Sequence, residues 1–198
     1  MIPFPSKPFH LFVDVGLSYS APHSQMILKQ NADAFVIGIE PNPRSCSNVK
    51  KVLGDCDRFH LIEAGVGDSA GQLELNIVGP DEGCSSFLDI TNTFKQKGYK
   101  VLDQVTVPVV TLQSILDQVP WDRVQTGLFD MKSDTQGYED KVILGLGKYI
   151  ERLATLQIET QTWGYYEQAS DHNVVKSLLD KYLYEIRNEG ENAWFEKK

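Results

Sequence analysis

"LFVDVGLSYSAPHSQMIL", Leu11–Leu28, opens on an apolar run, reaches a single glycine and resumes after a proline with helical spacing. A short apolar run stopped by Gly16 reads as a buried strand. Pro22 suits the first turn of the helix that follows, because the N–H it lacks would have no helical partner there. Strand, tight turn and helix together form the unit from which parallel sheets are built. In such sheets ligands gather beyond the carboxyl ends of the strands, where the chain order reverses. Gly16, Ser18 and Ser20 therefore form a candidate binding loop: the glycine lets backbone approach a ligand, and the serines offer hydroxyls.

The same alternation continues outward. "AFVIGIE" (Ala34–Glu40) is expected as a second strand, followed by a helix in "PRSCSNVKKVLG", where Cys46, Val49, Val52 and Leu53 share a face. "FHLIEAGVGD" (Phe59–Asp68) reads as one third strand and "GQLELNIV" as a fourth, half-exposed one. Residues 79–104 are polar and glycine-bearing without a period, so a loop excursion is expected there. "VTVPVV" then predicts a strand, with Pro108 marking an edge or an end, and "TLQSILDQV" a helix. "TGLFDMKSD", "YEDKVILGLGKYI" and "LATLQIET" give strand, helix and strand. "DHNVVKSLLDKYLYEI" gives a helix capped by Ser170 or Asp171, and "YEIRNEG" with "NAWFEK" a closing hairpin. The expectation is a single α/β domain over residues 1–198, a mostly parallel sheet covered on both faces with an antiparallel C-terminal edge.

Composition narrows the partners. A formal net charge of -8 opposes a broad phosphate-binding surface, so nucleic acid is not expected. No apolar run approaches the roughly 20 residues of a spanning helix, so no membrane is expected. "MIPFPSKPFH" lacks the basic and apolar regions of a secretory signal. Cys46, Cys56 and Cys84 are odd in number and lack C-x-x-C spacing, which predicts free thiols, no metal site and a cytoplasmic location.

Glu40 ends the second strand 24 positions beyond Gly16 (16 to 40). A carboxylate about 20 residues past such a turn can accept hydrogen bonds from ribose hydroxyls. A dinucleotide site would want G-x-G-x-x-G, and the second and third glycines are missing. S-adenosylmethionine carries no phosphate, and its cationic sulfonium and ammonium suit a mouth holding Asp14, Asp130 and Asp134. The residues favour that cofactor over NAD.

The chain resembles the FkbM family of S-adenosylmethionine-dependent methyltransferases from about Phe12 to about Tyr184. "DVGLSYS" parallels the family's D-V-G-A-N-x-G, with departures at Leu17, Ser18 and Ser20; "GIEPNP" carries the acidic strand end followed by Pro41 and Asn42. "GVGDSAG", "GCSSF" and "TLQS" parallel three shorter patterns, and "MKSDTQGYE" parallels L-K-I-D-V-E/Q-G-Y-E. The resemblance implies a three-layer Rossmann-like class I methyltransferase fold, its seven strands ordered 3-2-1-4-5-7-6. It implies cofactor contacts from Asp14, Gly16, Ser18, Ser20, Glu40, Pro41, Asn42, Gly65, Val66 and Asp134. Catalysis by Asp134 as base with Lys132 on the same strand face is expected. The implied acceptor is a small molecule or sugar-like hydroxyl compound, met by Ser85, Ser86 and Glu159, with no metal. His23 is a second candidate base, and the aromatics of "TQTWGYY" are a candidate pocket wall or loop anchor. An NAD(P)-linked oxidoreductase and a non-catalytic module of the same fold stand as alternatives. A serine in place of the family's second glycine costs about 1–2 kcal/mol if the turn requires a left-handed residue there.

Overall fold

A computed structural model describes residues 2–160 and 164–198. β1 (Phe9–Val15), β2 (Ala34–Ile39), β3 (Phe59–Ile62), β7 (Val124–Ser133), β8 (Leu153–Glu159), β9 (Leu183–Glu189) and β10 (Asn192–Lys197) build the main sheet. Its order is β3-β2-β1-β7-β8-β10-β9, which is the expected 3-2-1-4-5-7-6 once these seven are counted along the chain. β1, β2, β3, β7 and β8 are parallel, while β10 is antiparallel to both of its neighbours and closes the predicted hairpin with β9.

β2 is buried at all six positions because both of its faces are covered. On one face α1 (Pro22–Gln30) and α2 (Pro43–Leu53) pack Leu28, Val49 and Leu53 against Phe12, Val36 and Phe59. On the other, α4 (Leu112–Leu116), α5 (Glu139–Gly145) and α6 (His172–Leu179) cover a larger cluster centred on Phe35, Phe129, Leu156 and Phe195. Pro22 and Pro43 open their helices at the first turn, as expected of residues without an N–H. Asp171, not Ser170, caps α6 by accepting the Val174 N–H at 3.0 Å.

Three expectations change. Phe59–Asp68 is not one strand: the chain turns after β3, and β4 (Gly65–Val66) joins a different sheet. That second sheet, β4-β6-β5, also takes β5 (Gly71–Gly79), the predicted fourth strand, and β6 (Lys100–Val110). The excursion is accordingly shorter than residues 79–104, since α3 (Asn92–Gln96) and the start of β6 occupy its second half. Lys100–Gln104 are exposed on both faces, so no alternation betrayed the strand. α3 is held by Phe94, whose ring stacks on Tyr99 and Tyr165 at 4.0 and 4.5 Å and meets Tyr166 edge-on. Pro108 sits where β6 has a neighbour on one side only: β4 pairs with Val109 and Val110 but not with Pro108.

Candidate active site

The ends of β1, β2 and β7 meet at Gly16. Its N–H donates to the Ile39 carbonyl at 3.0 Å, and the Asp134 N–H donates to the Val15 carbonyl at 3.0 Å. Gly16 has φ +78, and a Cβ built on it would lie 1.9 Å from the Asp134 carbonyl oxygen. The turn therefore requires glycine twice over, for its conformation and for the room.

Lys132 bolts this junction from below. Its Nζ donates to the Gly16 carbonyl at 2.6 Å and lies 3.3 Å from Asp134 and 3.8 Å from Asp14. Burial works to lower the Lys132 pKa, but the two carboxylates outweigh it and hold the ammonium above its ordinary value. Lys132, expected to be catalytic, is turned beneath the loop and does not line the cleft. Asp14, expected to touch cofactor, lies beneath the loop as well. It is fully buried and accepts the Ser24 hydroxyl at 2.6 Å, tying α1 to β1, and burial raises its pKa. Asp130 is not at the mouth either; it lies further back along β7, ion-paired with His10 at 2.7 Å. His23 stacks on Phe12 at 5.4 Å, and burial lowers its pKa.

Glu40 organises the loop above. Its two oxygens accept the Leu17 N–H at 3.0 Å and the Asn42 N–H at 2.8 Å. Burial pushes its pKa up to about 7 against the pull of those hydrogen bonds. The departures from the family pattern fall differently than expected: Ser18 (φ 57) and Ala21 (φ 50) take the left-handed conformation, and Ser20 does not. Ser20 lies outside the cleft, its carbonyl accepting Gln25. Asn42, also expected to touch cofactor, is buried as the cap of α2, its Oδ1 accepting the Arg44 N–H at 3.0 Å.

Residues 81–87 form a roof. Asp81 caps the short turn Glu82–Cys84, Arg44 pairs with Glu82 at 2.7 Å, and Gly83 approaches Ser18. Ser85 donates to the Glu82 carbonyl at 2.7 Å, and Ser86 to the Gln136 carbonyl at 2.8 Å. The Ser85 proton thus closes the roof's own turn, and the Ser86 proton ties the roof to the turn after β7. Phe87 lies over Gly65, where a Cβ would fall 2.3 Å from the ring. The Arg44–Glu82 pair is exposed, so Arg44→Ala is expected to change stability by no more than about 1 kcal/mol in a urea titration.

Beneath the roof is a cleft of about 600 Å³ including its open mouth, within the range of small-molecule sites. Gly16, Ser18, Glu40 and Pro41 line one side; Gly65, Val66, Ser85, Ser86 and Asp134 line the others. Asp14, Ser20, Asn42, Lys132 and Glu159 of the expected set do not line it. Two residues with no assigned role, Thr135 and Gln136, do. Gln136 adopts φ 57 and its amide donates to Asp134 and to Glu159, each at 2.7 Å. The turn is shaped from within by Glu139, which is wholly buried and accepts the Thr135 N–H at 2.8 Å and the Thr135 hydroxyl at 2.9 Å. Burial pushes Glu139 up to about 7. Tyr166 reaches in to donate between the Cys84 carbonyl and the Gln136 Oε1, and Tyr165 stacks on Phe94, so these two aromatics anchor loops. Trp163 lies outside the described residues. Among the described residues no group of three or more His, Cys, Asp or Glu side chains is placed to hold a metal ion, and no helix is long and apolar enough to cross a membrane.

The sequence profile of the methyltransferase FkbM domain matches residues 15–186, from the end of β1 into β9. The chain belongs to the methyltransferase FkbM domain family. Among solved structures it is similar to a methyltransferase FkbM from Methylobacillus flagellatus KT, with a TM-score of 0.57 and 16% identity over 98% of this chain. The chain spans only 44% of the length of that protein. It is also similar to an N-methyltransferase from Bradyrhizobium japonicum, with a TM-score of 0.46 and 10% identity, covering 97% of this chain and 88% of that one. No curated protein sequence matches the chain. At 16% identity the likeness to the Methylobacillus flagellatus protein speaks for the Rossmann-like methyltransferase fold, and the family profile for membership.

Proposed function

We propose that this protein binds S-adenosylmethionine in the cleft and transfers its methyl group to a hydroxyl of a small, sugar-like acceptor. The observation that carries the reading is that Gly16, Glu40 and Asp134, from three strand ends, open on one cleft. The donor set fits the cofactor: Glu40 and Asp134 are acidic, and no arginine or lysine lines the cleft among the described residues. Such a lining suits a phosphate-free cation and would repel the pyrophosphate of a dinucleotide.

The bound cofactor supplies a methyl group already activated on a sulfonium. A carboxylate accepts at about four sites, so beyond its backbone hydrogen bonds Glu40 can accept from a ribose hydroxyl while still shaping the loop. Gly16, Ser18, Gly65 and Val66 bring backbone close to the ligand. Ser85 and Ser86 hold the roof that sheds water from the cleft, and tight positioning of acceptor and methyl supplies several kcal/mol of the rate enhancement, on the order of 7 or more in favourable cases. Asp134 keeps 32% of its side chain exposed and takes the proton that leaves the acceptor oxygen as the new C–O bond forms.

A thermal unfolding scan tests the reading. S-adenosylmethionine or S-adenosylhomocysteine at 100 times its dissociation constant adds about 2.7 kcal/mol, a rise of roughly 5–10 °C for a chain of this size. A flat response to both compounds would leave a non-catalytic module of the same fold, and a rise with NAD alone would revive the oxidoreductase.

A further inference from the structure

Asp134 and Glu159 follow a register pair, Ser133 with Ile158, at the carboxyl ends of the adjacent strands β7 and β8. Their side chains consequently project from the same face of the sheet. Both carboxylates converge on one nitrogen, the Gln136 Nε2, 2.7 Å from an oxygen of each, and a hydrogen bond between the two acids requires that one of them carry a proton. The Gln136 amide clamps the pair, one N–H to each residue at 2.7 Å, and the Tyr166 hydroxyl at 2.9 Å from its Oε1 fixes which way the amide points. The one cation in reach, Lys132, stands 3.3 Å from Asp134, and among the described residues Glu159 has no ion-pair partner. The other titratable groups around the pair are acids or neutral hydroxyl and thiol groups: Asp14, Glu139, Glu191, Tyr166 and Cys84. One ammonium among these acids neutralises one carboxylate, and like charges this close do not both ionise.

We infer that Glu159 is a positioning residue that retains a proton and donates it in a hydrogen bond to Asp134, leaving Asp134 as the single anion of the pair, on the side that faces the cleft. This departs from the direct substrate contact expected of Glu159, which does not line the cleft. Burial and the neighbouring Asp134 push Glu159 up to about 9, in line with the geometry. The pair titrates as a unit, and its apparent values belong to both residues. Glu159 acts by keeping Asp134 ionised and immobile; that Asp134 then serves as the acceptor's base rests on the functional reading above, whereas the proton on Glu159 does not.

Infrared spectroscopy of the ligand-free protein tests this. At pH 8 Glu40 and Glu139, each near 7, are mostly ionised, while Asp14, whose pKa burial also raises, is common to wild type and variant, so the carbonyl absorption of a protonated carboxylic acid that depends on residue 159 belongs to Glu159. The expected result is that this absorption is present in the wild type and lost in Glu159→Gln, a variant whose neutral amide keeps a donor toward Asp134. A wild-type-minus-variant difference spectrum that lacks this absorption overturns the proposal. Asp134→Asn supplies the reciprocal reading: with the neighbouring anion gone, the pH at which the absorption disappears falls by about one unit or more, and an unmoved midpoint overturns the pairing. Neither measurement involves the cofactor, so a failed thermal shift and a failed infrared titration point to different errors.

Discussion

Gly16→Ala is expected to destabilise the protein by about 2–5 kcal/mol and to abolish binding in the cleft, while Gly190→Ala costs only about 1–2 kcal/mol. Both glycines have positive φ, +78 and +65, so both alanines carry the left-handed penalty. They differ in surroundings. A Cβ at Gly190 meets nothing within 4 Å, whereas at Gly16 it lands 1.9 Å from a backbone oxygen. That oxygen belongs to Asp134, whose own N–H is bonded to Val15, so it cannot move without parting β1 from β7. A flexible side chain would swing aside; a central strand end does not. The displacement would also carry the Gly16 carbonyl off Lys132, releasing the ammonium that holds Asp134 and Asp14. Urea denaturation of the two variants side by side measures the difference directly. If Gly16→Ala unfolds at the same urea concentration as Gly190→Ala, the close approach is not a constraint and the cleft is looser than described.

Much of the scaffold was legible in the chain because its strands are buried on both faces and read as unbroken apolar runs. β1, β2, β7 and β8 all fell where the runs placed them, and Pro22 and Pro43 marked two helix starts. The small sheet was not legible. β4 has two residues, too few for a period, and the exposed start of β6 carries no alternation. At the site, motif and contact separated. Gly16, Glu40 and Asp134 open on the cleft, but Asp14, Asn42 and Lys132, carried by the same motifs, build the loops instead. A polar residue at a strand end reads alike whether it faces a ligand or the backbone of the next turn, since both demand the same hydrogen-bonding groups. Glu139 shows this in the extreme: it is a first-turn acid of α5, yet it is wholly buried and braces the turn that presents Gln136. The turn does not require a left-handed residue at Ser20, the position of the family's second glycine. The left-handed residue is Ser18, standing where the family carries asparagine, a residue that tolerates that conformation well.

The second large effect concerns Glu40 and pH. With its pKa raised to about 7 from an ordinary 4.5, the folded ligand-free protein holds more protons than the unfolded chain between those values. Stability from this group is therefore fully present below about pH 4.5 and lost as pH rises through about 7. Glu139, also near 7, and Glu159, near 9, add to the same downward slope. A ligand that brings hydroxyl donors to Glu40 favours its anion, so binding expels a proton and gains strength as pH climbs. S-adenosylhomocysteine is accordingly expected to bind more tightly at pH 8 than at pH 5.5, by up to about tenfold for a one-unit lowering of the Glu40 pKa in the bound state. Calorimetry in buffers of different ionisation heat should register the released proton. Glu40→Gln removes both features: affinity drops roughly 10- to 100-fold with the lost charged acceptor, and this part of the pH dependence disappears. The same variant in the absence of ligand should unfold with a shallower pH slope, because one of the raised carboxyls is gone. A wild-type affinity that stays level across this range would mean that Glu40 serves the loop alone and that the ribose, if it binds here, lies against other groups.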